Sequence, residues 1–202
     1  MEKVITIGRQ YGSGGRDFGR KLARELGVPF YDNELITLAA KESGFAEESF
    51  ERAEKKATNS LLYSLAMGAT AYGGIDFGTN ALSLDDRIFL AQSKVIVKVA
   101  GEGPCVIVGR CADYILKDRV DTFNIFVRAS LDYRMNRAIK EYGDPENKVG
   151  EIITKTDKSR ANYYKYHVGE SWTNLNNYDL VLRSDLCDID TLVKGTIAIL
   201  NN

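Results

Sequence analysis

Residues 4–19 read Val-Ile-Thr-Ile-Gly-Arg-Gln-Tyr-Gly-Ser-Gly-Gly-Arg-Asp-Phe-Gly. The stretch opens with β-branched residues typical of a buried strand and continues into a glycine-rich turn. Apolar residues at helical spacing follow it, namely Leu22, Ala23 and Leu26. We therefore predict a strand, a loop and a helix in that order. Glycines in such a loop let successive backbone N–H groups face an anion, at which the positive end of the helix also points.

The loop matches the phosphate-binding pattern G-x-x-x-x-G-K-[ST] only in part. That pattern places its first glycine at Arg9, its second at Gly14, its lysine at Gly15 and its hydroxyl residue at Arg16, so only Gly14 agrees. A flexible turn with surplus glycines explains the pattern equally well. Two features favour phosphate binding: the position directly after the first strand, and Arg16, whose planar fork suits phosphate oxygens. We expect the Arg16 guanidinium to face the binding cavity.

Composition limits the class of protein. A chain of 202 residues with a formal net charge of −1 is long enough for one α/β domain, which we place at residues 1–202. No charge of one sign dominates, so neither nucleic acid nor a membrane surface is expected as a partner. Because there is no leader before the first strand and no bilayer-spanning apolar run, we expect a cytoplasmic protein. Three cysteines without C-x-x-C spacing argue against a disulfide framework and against zinc.

Further apolar runs predict four more strands, with helices between them. The strands are expected at 29–32, 105–108, 123–127 and 178–182, and helices at 17–25, 33–42, 84–100, from about 149, and 190–200. Five apolar strands with intervening helices indicate an α/β fold with a doubly wound parallel sheet, whose ligands bind at the carboxyl edge. Residues 45–84 change from charged to glycine-rich, and we interpret them as a mobile insertion.

Several polar residues fall at this edge. Asp32 ends the second predicted strand and Arg110 follows the third, although an aspartate before a helix also serves as an N-cap. His167 is the only histidine, which excludes a site with two histidine ligands.

Two residue pairs share helix faces at spacing i, i+3. Arg134 and Arg137 follow the fourth strand and can converge on one anion, while the alternative is that they only keep the surface soluble. Asp157 and Arg160 are spaced in the same way, and they either pair with each other or contact a ligand.

Taken together, these segments resemble the nucleoside monophosphate kinases. The similarity is to the cytidylate-kinase-like branch, in which the loop reads Arg-Gln-Tyr-Gly-Ser-Gly-Gly-Arg as residues 9–16 do here. It extends through residues 29–32, 106–110, 129–137 and 157–160, which is most of the chain outside the insertion. The resemblance implies a five-stranded sheet of the P-loop nucleoside monophosphate kinase type, an acceptor-binding insertion at 45–84 and a lid at 137–157.

The resemblance also implies an activity and a set of site residues. The activity is ATP-dependent transfer of a γ-phosphoryl group to a nucleoside monophosphate, with CMP or dCMP as the expected acceptor, ATP and Mg²⁺ as cofactors, and small nucleotides as partners. The residues expected to bind ATP are Gly12, Ser13, Gly14, Gly15, Arg16 and Asp17; those for the acceptor are Asp32, Arg110, Asp157 and Arg160. Catalytic roles are expected for Arg16, Arg134 and Arg137, and magnesium ligation for Ser13 or Asp17.

The chain departs from the family pattern at four places. Gly15 replaces the loop lysine, Asp17 replaces a threonine, and Asn33-Glu34 replace the serine-glycine after the substrate aspartate. The arginine expected shortly after that serine-glycine is absent. These departures leave two alternatives open. One is a catalytically impaired, nucleotide-binding regulatory protein, and the other is a kinase of a different small phosphoacceptor.

Overall fold

The computed structural model of the protein describes residues 3–32, 38 and 83–201. Its strands are β1 Val4–Arg9, β2 Phe30–Tyr31, β3 Val106–Val108, β4 Thr122–Arg128 and β5 Leu180–Arg183. The α-helices described in full are α1 Gly15–Leu26, α2 Leu84–Gly101, α3 Ala112–Leu116, α4 Leu131–Tyr142, α5 Val149–Val168 and α6 Ile189–Leu200, with a 3₁₀ turn at Leu175–Asn177.

The five strands form one parallel sheet in the order β2-β3-β1-β4-β5. Ile5 lies opposite Val106 of β3 on one side and Phe123 of β4 on the other, so β1 is central. The carboxyl ends of all five strands therefore meet at one edge, with the loop after β1 in the middle. The predicted doubly wound parallel sheet is confirmed.

Alternating residues of the strands supply two cores, one on each face of the sheet. Ile5 and Ile7 of β1 pack with Phe18 and Leu22 of α1, and with Val193 of α6. On the other face, residues of β3 and β4 pack with α2, α3 and α5; this cluster includes Ile107, Phe126, Ile96, Leu116 and Tyr164. Strands buried on both faces are apolar along their whole length, which is why the sequence shows runs and not alternation.

The sequence located most elements within two residues of their observed ends. The short helix α3 and the 3₁₀ turn were not predicted. The expected helix at 33–42 lies outside the described residues except for Leu38, which is helical and 36% exposed. The expected insertion at 45–84 also lies outside them, apart from its last two residues. None of the described helices combines the length and apolar character needed to cross a membrane.

Candidate active site

The loop between β1 and α1 is closely packed and depends on its glycines. Gly12 and Gly14 have φ of 75° and 76°, in the left-handed region that glycine occupies without strain. Gly14 is the N-cap of α1 and has no side chain that could accept a hydrogen bond from the first N–H groups of the helix. A Cβ at Gly12 would lie 2.6 Å from the carbonyl oxygen of Arg134, and one at Gly14 would lie 3.2 Å from Nε of Arg137. Helix α4 therefore lies directly against the loop.

Ser13 is part of the internal bonding of the loop. It is fully buried, and its hydroxyl donates to the carbonyl oxygen of Gln10 at 2.8 Å. Its own carbonyl oxygen accepts from Oγ of buried Ser184, just after β5, at 2.5 Å. In this arrangement the Ser13 hydroxyl is directed into the loop and not towards a ligand.

Each of the three arginines expected to be catalytic is paired with an aspartate. Nε of Arg16 lies 2.5 Å from Oδ2 of Asp32. Nη1 of Arg134 lies 2.5 Å from Oδ2 of Asp157, whose Oδ1 accepts from the backbone N–H of Tyr11 at 2.7 Å. The third pair joins Arg137 to Asp17. Because the arginines are paired with protein carboxylates, a phosphate ligand has to compete with those carboxylates.

Arg134 and Arg137 nevertheless keep unused donors. Nε of each is buried and has no hydrogen-bond partner among the described residues. Burial alone would lower the pKa of Arg137, but the hydrogen bond and charge of Asp17 outweigh it and raise that pKa. A buried, charged guanidinium with an unmatched N–H is costly, which favours an anion at this place.

A cavity lies beside the loop, at the ends of β1 and β3. Three arginines line it, Arg9, Arg110 and Arg160, together with Asp113 and four aromatic residues, namely Tyr163, Tyr164, Trp172 and Tyr178. Burial raises the pKa of Asp113, although the Tyr164 hydroxyl that donates to it at 2.6 Å opposes that rise. The described lining is therefore cationic and aromatic, as suits a planar ligand with negative charge.

The backbone on the β3 side of the cavity has an uncommon conformation. Gly109, Arg110 and Cys111 are consecutive, and their φ values of 79°, 60° and 57° are all left-handed. Such a conformation costs about 1 kcal/mol or more for a residue with a side chain, so two such residues in succession are strained. Strain of this kind concentrates at ligand sites, and here it forms the cavity wall.

The structure brings some of the expected residues together and separates others. Arg110 and Arg160 share the cavity, and Nη1 of Arg160 donates to the carbonyl oxygen of Arg9 at 3.0 Å. Asp32, Asp157 and Arg16 are not among its lining residues, since Arg16 is paired with Asp32 and Asp157 with Arg134. Asp157 and Arg160 also do not pair with each other, because Asp157 is held by Arg134 and Tyr11.

Two residues were not identified from the sequence. Arg9 lines the cavity. The phosphate-binding loop pattern has a glycine at this position, so in the sequence Arg9 was only a departure from that pattern. Tyr11 donates from its hydroxyl to Asp144 at 2.8 Å and lies 5.7 Å from the Arg160 guanidinium carbon, measured to its ring centre. A tyrosine in a glycine-rich loop was the available signal, since such a large side chain must pack against something.

The described residues offer little for a bound magnesium ion. They contain no cluster of three or more acidic, cysteine or histidine side chains suited to a metal. The Asp17 carboxylate at the loop is a suitable hard oxygen ligand, and Mg²⁺ in phosphate sites commonly takes only one or two carboxylates. Asp17 therefore fits the ion once Arg137 moves away, whereas the inward-facing Ser13 hydroxyl does not fit in this state.

A glycine-rich loop between the first strand and first helix of a 2-3-1-4-5 parallel sheet, flanked by arginines, defines a protein with the P-loop kinase fold. More particularly, the chain belongs to the cytidylate kinase-like family, whose model matches residues 4–186. The resemblance found in the sequence is thus confirmed. Membership of this family, with the fold, supports a phosphotransferase that acts on a nucleotide or nucleoside.

Three individual proteins illustrate what the chain is similar to. A cytidylate kinase of Methanopyrus kandleri is 28% identical over 188 residues, which cover 89% of this chain and 83% of that protein. An uncharacterised protein from Eubacterium ventriosum has a solved structure with a TM-score of 0.71 and 25% identity, covering 100% of this chain and 99% of the other. A shikimate kinase from Bacteroides thetaiotaomicron matches in fold, with a TM-score of 0.57, 14% identity and full coverage of both chains.

Proposed function

We propose that the protein transfers the γ-phosphoryl group of ATP to a nucleoside monophosphate, with CMP or dCMP as the acceptor. The observation that carries the proposal is that five arginines meet beside the glycine-rich loop: Arg9, Arg110, Arg134, Arg137 and Arg160. Phosphoryl transfer requires positioning and neutralisation of charge more than covalent help from the protein. A positively charged edge of the sheet is therefore sufficient for phosphoryl transfer, and no catalytic histidine or serine is needed.

On the donor side, the loop and α4 bind the phosphates of ATP. The N–H groups of Gly12, Gly14 and Gly15 face the phosphate chain at the positive end of α1, while the N–H of Ser13 donates to the carbonyl oxygen of Gln10 in this structure. Arg137 leaves Asp17 and, with Arg134, neutralises the transferring group, while Arg16 binds the β- and γ-phosphates after leaving Asp32. Mg²⁺, when bound, neutralises the phosphates of ATP, and the freed Asp17 carboxylate would hold it.

On the acceptor side, the cavity binds the nucleoside monophosphate. Arg110 and Arg160 hold its phosphate, and the aromatic lining stacks against its base. Asp32 and Asp157, which are not part of the lining of the cavity in this structure, orient the sugar or base once their arginines turn to the phosphates. Residues 137–157, comprising the end of α4, the turn after it and the start of α5, close over the site and exclude water.

A coupled assay of ADP release tests the proposal, using ATP with CMP, dCMP, UMP, AMP, GMP and shikimate as acceptors. We expect turnover with CMP or dCMP that exceeds turnover with the others by at least tenfold. Absence of turnover with every acceptor, from folded protein, contradicts the proposal.

A variant of α4 tests the role of Arg137. Arg137→Gln removes a charge from the transferring group, so kcat is expected to fall at least about 100-fold with little change in the KM for CMP. Lys140→Gln, on the exposed side of the same helix, is the matched control and retains activity. Equal activity of the two variants would exclude Arg137 from the reaction.

A second candidate is a nucleotide-binding regulatory protein without turnover. The pairing of all three expected catalytic arginines with aspartates favours it, together with the missing loop lysine. Calorimetry separates the two candidates. ATP binding without product formation from any acceptor supports the regulatory protein.

A further inference from the structure

Arg9 occupies a channel between two glycines. The residue ends β1, and its side chain is only 20% exposed. A Cβ at Gly15 would lie 2.5 Å from the Cβ of Arg9, and a Cβ at Gly109 would collide with Nη1 of Arg9. Any other residue at either glycine would displace this side chain. The fold therefore holds the Arg9 guanidinium between the glycine-rich loop and the left-handed turn after β3.

The position of the guanidinium differs from that of Arg16. Arg9 lines the cavity, whereas Arg16 does not. Nη2 of Arg9 lies 3.9 Å from Oδ1 of Asp32, the longest ion pair among the described residues, while Arg16 holds the other oxygen of Asp32 at 2.5 Å. Asp32 is thus closer to Arg16 than to Arg9, and the Arg9 side chain also lines the cavity.

The described lining of the cavity contains three arginines. It also contains one carboxylate, that of Asp113, which already accepts from Tyr164. The backbone of Arg9 also fixes Arg160, since its carbonyl oxygen accepts from Nη1 of that residue. Arg9 consequently contributes to this ligand site in two ways. Its guanidinium lines the site, and its backbone carbonyl oxygen holds Arg160 in position.

We infer that Arg9 is a phosphate-binding residue of the acceptor cavity, where its guanidinium contacts the phosphate of a nucleoside monophosphate together with Arg110 and Arg160. The inference rests on the proposed function for the identity of this ligand. The Arg9 guanidinium, at the end of β1, lies between the donor loop and the acceptor. It provides there the positive charge that the loop lacks at Gly15. A competing explanation is that Arg9 only joins β1 to Asp32 and stabilises the fold.

Calorimetric titration of Arg9→Gln with CMP and, separately, with ATP distinguishes these explanations. Loss of a charge-assisted hydrogen bond to phosphate raises the Kd for CMP about 10- to 100-fold, while the Kd for ATP changes less than threefold. Arg24→Gln is the control, because Arg24 is exposed on α1 and, within the described part of the chain, pairs with its sequence neighbour Glu25. A Kd for CMP within twofold of this control overturns the inference, as does an equal loss of affinity for both nucleotides.

A second measurement needs no substitution. In wild-type protein the Nε–H signal of Arg9 is expected to move on titration with CMP and to stay within error on titration with cytidine, which lacks the phosphate. An Arg9 signal that CMP leaves unchanged overturns the inference, even if Arg9→Gln fails to fold.

The experiments on Arg9 can give a different result from the test of the proposed function. Inorganic pyrophosphate serves as a second probe, since it carries the charge without the nucleoside. Protein that binds CMP or pyrophosphate through Arg9 but never transfers a phosphoryl group contradicts the proposed function and supports the role of Arg9. Wild-type protein that binds neither probe overturns the role of Arg9 as well.

Discussion

At the scale of single residues, glycine is needed at position 109 for two reasons. Its φ of 79° favours glycine, and its missing Cβ makes room for the Arg9 guanidinium. Gly27 shares only the first requirement, with a φ of 67° and, among the described residues, no atom within 4 Å of the place that a Cβ would take. The two glycines therefore form a matched pair for substitution.

Gly27→Ala and Gly109→Ala should differ in CMP binding. Both lose about 1 kcal/mol because of the left-handed backbone, and Gly109→Ala also displaces the Arg9 guanidinium, which costs little stability because it is the end of a flexible side chain. Urea denaturation measures the loss of stability, and calorimetry should show weaker CMP binding only for Gly109→Ala. Equal CMP binding by the two variants would mean that the position of Arg9 is of no consequence for the ligand.

His167 gives the stability of the fold a dependence on pH. It stacks on Phe89 with ring centres 3.8 Å apart and contacts Tyr163 and Tyr166, and this burial lowers its pKa from 6.5 to about 4, opposed by the charge of Asp86. Below pH 6.5 the unfolded chain gains a proton that the folded protein does not. Stability is therefore lost as the pH falls from 6.5 to about 4.

A comparison with His167→Phe isolates this effect, because phenylalanine keeps the stacking and does not titrate. After allowance for partial exposure, the wild type should lose about 1–2 kcal/mol more than the variant between pH 7 and pH 4.5. Urea denaturation at several pH values measures the difference. Parallel pH profiles for the two proteins would show that His167 is not buried in its neutral form.

At the scale of elements, the loop after β1 is held from three sides. Ser184 after β5 binds Ser13, Asp157 of α5 binds the N–H of Tyr11, and the Tyr11 hydroxyl donates to Asp144 in the turn between α4 and α5. Burial and the neighbouring Asp144 raise the pKa of Tyr11, so its hydroxyl keeps its proton. These contacts connect the loop to the region proposed to act as a lid.

Tyr11→Phe should weaken that connection without removing the ring. Loss of the bond to Asp144 is expected to cost about 1 kcal/mol of unfolding free energy. The control is Tyr142→Phe, because Tyr142 is exposed and makes an edge contact to the Tyr11 ring at 5.4 Å. We expect the control to stay within about 0.5 kcal/mol of the wild type. A Tyr11→Phe protein as stable as the control would show that the hydroxyl bond contributes nothing.

The elements themselves were largely predictable from local pattern. Runs such as Val106 to Val108 and the glycines that end α1 and α4 are local signals, and each predicts a strand or a helix end. The short helix α3 was not predictable in this way. It begins after a left-handed Cys111, a conformation that tertiary packing imposes and that the residue type does not suggest.

At the scale of the whole molecule, the sheet decides where the site lies. A 2-3-1-4-5 order places β1 between β3 and β4, so the glycine-rich loop adjoins both the turn after β3 and helix α4. The sequence predicted that ligands bind at the carboxyl edge, because this follows from parallel strands alone. It did not predict which side chains pair there. The Arg16–Asp32 and Arg137–Asp17 pairs join residues brought together by folding.

We propose that the loop from Gln10 to Arg16 binds a polyphosphate although it lacks the usual lysine. Backbone amide signals of the wild-type protein, followed by NMR during titration with ATP, test this binding. The largest shifts are expected on Gly12, Ser13, Gly14 and Gly15, with smaller changes in the exposed part of α2. Saturating ATP that leaves those four signals in place would contradict phosphate binding by the loop.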